Sequence, residues 1–186
     1  FLIKMKRKLQ IGVMGSAADL KYSKKINELA EKVGELIAES GNITVYGAEK
    51  DYDSLSTAAS RGAKRKNGLT VGVTYGKHKN IYDKDNTDVI IPCGLERGGG
   101  REFVLVNSCD CVIAISGGSG TLTEVAIAYQ SDIPSVVLSG TGGWADKLAG
   151  KFIDERERRI CIDAKTPEEA VKIAIKEAEK YLEKYE

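Results

Sequence analysis

The residues with the most chemistry in them form one short run, Ser116-Gly117-Gly118-Ser119-Gly120-Thr121. It follows an apolar, β-branched stretch (110–115) and leads into a helix-compatible one (122–129). That pattern predicts a buried strand delivering its C-terminal end to a sharp turn at the start of a helix. Glycine lets the backbone bend there and lets a ligand approach the main chain closely. Free N–H groups and the positive end of a helix dipole favour an anion. Gly117, Gly118, Ser119, Gly120 and Thr121 are therefore candidate phosphate-binding residues. Gly15, Ser16 and Gly47 end two other apolar runs and join the candidate set, because ligands of open α/β sheets lie beyond the carboxyl ends of strands. Their convergence favours a nucleotide-sized ligand. The spacing G-x-G-x-x-G after the first strand is absent, which argues against an ordinary NAD enzyme.

Two charged residues flank the run. Glu124 stands three residues after Thr121, the spacing of a capping box, so it either closes the helix N terminus or faces a ligand. Arg101 follows three glycines, and its planar fork suits a phosphate or a carboxylate. His78 is the only histidine and sits in a polar, aperiodic segment (75–88), a length of loop that is often functional. With no second histidine or cysteine cluster nearby, no metal site is expected.

The elements that must position these residues alternate. Strands are expected at 8–14, 43–46, 69–74, 89–91 (broken by Pro92), 110–115, 135–139 and 159–163. Helices are expected at 22–39, from Asp53 or Ser54 to about 66, at 101–108, at 122–129, around Trp144, and from Thr166-Pro167 onward with Glu169 at capping-box spacing. Alternation with short joints predicts a Rossmann-like three-layer α/β/α sandwich around a mostly parallel sheet, in one domain over 1–186.

At 186 residues with a net charge of +1, the chain suits one substantial core and shows no basic footprint for nucleic acid. The basic cluster 4–8 reads as part of a solvated arm over 1–8, and no run is long enough for a membrane helix. Four cysteines without an export signal suggest a cytoplasmic protein. Cys109 and Cys111 share a face if both are in the strand, and read as small buried hydrophobes.

Residues 116–124 resemble the PGGxGTxxE motif of the "Lonely guy" (LOG) cytokinin-activating phosphoribohydrolases and of their relatives, the molybdenum cofactor carrier proteins. Arg101, nine residues before Asp110, matches the family's essential arginine. The resemblance implies hydrolysis of the N-glycosidic bond of a nucleoside 5′-monophosphate, with Arg101 orienting the nucleotide and Glu124 supporting an oxocarbenium-like transition state. It implies no required cofactor, although bound nucleotide or phosphate is compatible with it, and it implies a dimer or higher homo-oligomer. Three departures stand out: the second glycine-rich loop reads Gly47-Ala48-Glu49-Lys50-Asp51-Tyr52-Asp53-Ser54, the motif proline is Ser116, and the lysine after Arg101 is Glu102. Ala58-Ala59-Ser60-Arg61-Gly62-Ala63 and Cys93-Gly94-Leu95 look more like the carrier branch, where the implied role is to hold a pterin nucleotide without turnover. A third possibility is an assembly whose pocket is vestigial.

Overall fold

The computed structural model describes residues 7–96 and 100–185. Lys4 and Lys6 of the basic cluster, and Arg97, Gly98 and Gly99 ahead of Arg101, lie outside the described residues. Arg7, expected in a solvated arm, instead donates from both terminal nitrogens to Asp110 at 2.8 Å. Asp110 also accepts from the Gln10 amide, so one carboxylate fastens the start of the first strand to the start of the central one.

Seven strands make one sheet: β1 (Gln10–Gly15), β2 (Ile43–Gly47), β3 (Leu69–Thr74), β4 (Val89–Pro92), β5 (Cys111–Ile115), β6 (Ser135–Leu138) and β7 (Ile162–Ala164). Their order is β4-β3-β2-β1-β5-β6-β7. Every neighbouring pair is parallel, so the sheet expected to be mostly parallel is wholly so. The helices are α1 (Lys24–Glu39), α2 (Leu55–Arg65), α3 (Gly100–Asn107), α4 (Ser119–Gln130), α5 (Gly143–Leu148) and α6 (Pro167–Tyr185). The period-2 alternation of β5 divides the core. Cys111, Ile113 and Ile115 face the α1, α2 and α6 layer, while Val112 and Ala114 face α3, α4 and α5. The chain winds outward from β1 to β4 and then returns to β5 on the other side of β1. That reversal leaves a crevice at the C-terminal ends of β1 and β5.

Several boundaries differ from the sequence expectation. Pro92 is the last residue of β4 rather than its breaker, because an edge strand can spare a donor. The last strand forms at 162–164, not 159–163, and Ile160 makes only an isolated bridge to Phe152. Cys109 precedes β5 and packs in the α3/α4 layer, so it does not share a face with Cys111. The polar segment 75–88 lies against α2. Arg61 donates to Asp83 and Ser60 to the Asn86 carbonyl, while the Tyr46 and Thr87 hydroxyls bond to each other. His78 in that segment is exposed.

α1 and α2 meet through two glycines. A methyl group on Gly34 would lie 1.8 Å from the Ala59 carbonyl oxygen, and one on Gly62 would lie 1.9 Å from that of Glu31. Backbone cannot yield as a side chain can, so these helices approach closely only because both positions lack a Cβ. Gly62→Ala gains helix propensity but must push the helices apart. We expect a net loss of about 3 kcal/mol, read as a fall in the urea midpoint. Unchanged or higher stability would show that the contact is not tight.

Candidate functional site

α4 begins at Ser119, three residues earlier than expected, with Gly118 as its N-cap and no side-chain cap. Thr121 is thus inside the first turn and Glu124 lies in the second, so Glu124 is not at the capping-box position. The Leu122 amide donates to the Gly118 carbonyl. The amides of Ser119, Gly120 and Thr121 precede the first intrahelical donor and point out of the helix end. A Cβ on Gly120 would meet nothing within 4 Å.

The turn before α4 is held from behind. Ser116 has φ +55° and Gly117 has φ +98°. The Ser116 amide donates to Thr141 Oγ1 at 2.8 Å, and that hydroxyl donates to the Leu138 carbonyl. The Gly117 amide donates to Ser16 Oγ at 2.8 Å, while Ser16 Oγ donates to Ser116 Oγ. Amides of Trp144 and Ala145, at the start of α5, donate to the Gly117 and Ser116 carbonyls. Proline at 116 could neither reach this φ nor donate to Thr141, which gives the Ser116 departure a structural reason.

Facing the helix end, the crevice opens into a cleft of about 350 Å³. Gly15, Gly47, Gly118, Ser119, Gly120, Thr121, Arg101 and Glu124 all line it. Ser16 and Gly117 do not: their polar groups are spent on each other. His78 is not among the lining residues. Gly47 provides space, since a Cβ there would lie 2.5 Å from Arg101 Nη1.

Part of the cleft wall is a buried charge cluster. Arg101 is 5 % exposed, Glu102 2 %, Glu124 6 % and Glu49 7 %. Arg101 donates from Nε and Nη2 to Glu102 Oε1 at 3.2 and 3.1 Å, and from Nη2 to Glu49 Oε1 at 3.3 Å. Its Nη1 has no hydrogen-bond partner among the described residues. Burial opposes the guanidinium's charge. Nearby Glu124, then Glu49 and Glu102, outweigh that and hold its pKa above the ordinary value. Glu124 makes no hydrogen bond among the described residues. Burial pushes its carboxyl up to about 8; Arg101 counters this, and Glu102 and Glu49 reinforce it. Burial thus favours the protonated carboxyl of Glu124, which has an O–H to give.

Sequence reasoning noted Glu49 and Glu102 as departures but did not place them in the site. It missed Asp19, Leu20, Tyr52, Ser54 and Ser56, which also line the cleft. Ser54 carried a signal, since it caps α2 immediately after β2 by accepting from the Thr57 amide. Leu20 carried none. It packs over Gly118 only because the turn Ala18–Leu20 folds back there. Among the described residues no group of His, Cys, Asp or Glu is arranged to hold a metal ion, and no helix is long and apolar enough to cross a membrane.

A wholly parallel sheet with a glycine-rich turn at its winding reversal defines a Rossmann-like protein of the LOG and molybdenum cofactor carrier superfamily. The chain belongs to the SLOG cluster4 family, whose model matches residues 8–171. An uncharacterized protein of Archaeoglobus fulgidus is 33% identical over 138 residues, covering 71% of this chain and 85% of that protein. The molybdenum cofactor binding protein of Rippkaea orientalis is 31% identical with a TM-score of 0.75, covering 91% of this chain and 96% of that one. The molybdenum cofactor carrier protein of Chlamydomonas reinhardtii is 30% identical with a TM-score of 0.75, covering 94% and 99%.

Burial of Glu124 links stability to pH. Its carboxyl titrates near 4.5 when unfolded and near 8 when folded. The folded state thus loses stability as pH rises from about 4.5 to about 8, and no further above that. Glu124→Gln stays neutral throughout. It should raise stability by on the order of 5 kcal/mol at pH 8.5 and leave it nearly unchanged at pH 4.5. Urea unfolding at the two pH values checks this, and parallel stability profiles for the two proteins would disprove it.

Proposed function

We propose that this protein binds a phosphate-bearing heterocyclic ligand of the nucleotide or molybdenum cofactor type and carries it without turnover. The observation that carries the reading is the state of Arg101: its Nε and Nη2 already donate to Glu102 and Glu49. The arginine that would orient a nucleotide for hydrolysis is thereby engaged elsewhere, while the uncapped N terminus of α4 stays open to a phosphate. Likeness to proteins whose names state that they bind or carry molybdenum cofactor supports the same choice.

One observation favours a second reading, hydrolysis of a nucleoside 5′-monophosphate to base and ribose 5-phosphate. A neutral Glu124 in the cleft suits a general acid that protonates a leaving base. Resemblance to the LOG enzymes suggests the same chemistry, and no resident cofactor would be needed for it.

The two readings separate in one pair of assays. Purified protein is incubated anaerobically with molybdenum cofactor, and separately with each common nucleoside 5′-monophosphate. The carrier reading expects the cofactor to co-elute with the protein and be recovered intact, with no base released. Base release lost in both Glu124→Gln and Arg101→Ala would replace it with the hydrolase. Neither retention nor release would overturn both.

A further inference from the structure

We propose that Leu20 is the side chain against which the planar ring of the ligand lies, so that it makes the cleft favour ring-bearing phosphates over a bare sugar phosphate. The inference rests on the reading of the cleft as the site of a phosphate-bearing heterocyclic ligand. Such a ligand needs an apolar surface for its ring as well as donors for its phosphate.

The cleft wall offers little such surface. Among the described residues that line it, Leu20 and Tyr52 are the only large hydrophobic side chains. The rest are glycine, alanine, serine, threonine or charged. Hydroxyls and carboxyls can meet the edge of a heterocycle by hydrogen bonding. Its faces gain instead from contact with apolar groups that leave water at the same time.

A leucine exposed on a surface turn is ordinary by itself. Leu20 differs in where it stands and in what fixes it there. It lines the cleft while 54 % exposed, so a ligand in the cleft covers apolar area that now faces water. Its Cδ1 lies 2.7 Å from where a Cβ on Gly118 would be. The side chain therefore rests on bare main chain at the N-cap of α4, directly before the amides proposed to hold the phosphate. The turn Ala18–Leu20 buries none of its side chains, so its shape is set by backbone. The Leu20 amide donates to the Ala17 carbonyl at 3.0 Å and the Lys21 amide to that of Ala18 at 3.1 Å. Lys21 closes the turn at φ +51°, a conformation that a lysine adopts at a cost. The Ala18 amide donates to the Asp53 carbonyl at 2.9 Å, and Ala17 forms an antiparallel bridge to Ser54. These contacts fasten the turn to the loop after β2 that carries Tyr52, so the two hydrophobic side chains of the wall come from segments paired with each other.

The test compares wild type, Leu20→Ala, Leu20→Met and Tyr52→Ala by calorimetric titration with adenosine 5′-monophosphate, guanosine 5′-monophosphate and ribose 5-phosphate, and by anaerobic retention of molybdenum cofactor. Wild type should bind at least one nucleotide about tenfold or more tighter than ribose 5-phosphate. Covering the exposed part of a leucine is worth about fivefold in affinity. Leu20→Ala should shrink the preference by that factor, through weaker nucleotide binding alone, and Leu20→Met should restore it. Tyr52→Ala should shift the preference in the same direction. Should wild type hold only the cofactor, its dissociation is the readout, about fivefold faster in Leu20→Ala and restored in Leu20→Met. Three results each overturn the role of Leu20 and leave the ligand reading standing: no change in folded Leu20→Ala, an equal loss of ribose 5-phosphate binding, or wild type binding ribose 5-phosphate as tightly as the nucleotides. If wild type binds neither nucleotide and retains no cofactor, the ligand reading and this inference fall together.

Discussion

A guanidinium that is 95 % removed from water must be surrounded by anions, and this constraint shapes the site of the protein. Arg101 draws Glu102 from its own helix and Glu49 from the loop after β2. Gly47 must lack a side chain so that Nη1 can fit against the strand end. Two separate parts of the chain, 47–49 and 101–102, are thereby committed to one point. The cost of burying Arg101 is met by ion pairing and hydrogen bonding. The cost of burying Glu124 is met by protonation, since its carboxyl sits at about 8.

In the same cleft, the turn at 116–118 has another architecture, made of backbone. Its polar groups are fixed from behind by Ser16, Thr141 and the start of α5. A scaffold held on its far side can leave its near side, the first-turn amides of α4, available to the cleft without collapsing onto it. The reversal of winding between β1 and β5 makes room for both architectures in one cleft.

The fold was largely legible in the chain. Alternating short apolar runs and 3.6-periodic segments follow from burial on both faces of a parallel sheet, and no tertiary knowledge is needed to see them. The reading went astray where local signals compete with geometry. Thr121-x-x-Glu124 imitates a capping box, but the helix starts earlier because Ser119 and Gly120 enter it and the α5 amides hold the turn in place. Lys8 and Arg7 look like a solvated arm until Asp110, a hundred residues away, offers a carboxylate to the arginine.

The sequence by itself determined the elements, the three-layer class, the glycine-rich turn and the candidacy of Arg101 and Glu124, because each depends on contacts within a few residues or on periodic burial. Only the tertiary structure decided that Ser16 braces the turn instead of facing the cleft, that Glu49 engages Arg101, and that burial raises the pKa of Glu124. Those outcomes depend on distances between residues up to a hundred positions apart and on how completely water is excluded from them. Neither quantity is written in the order of the residues.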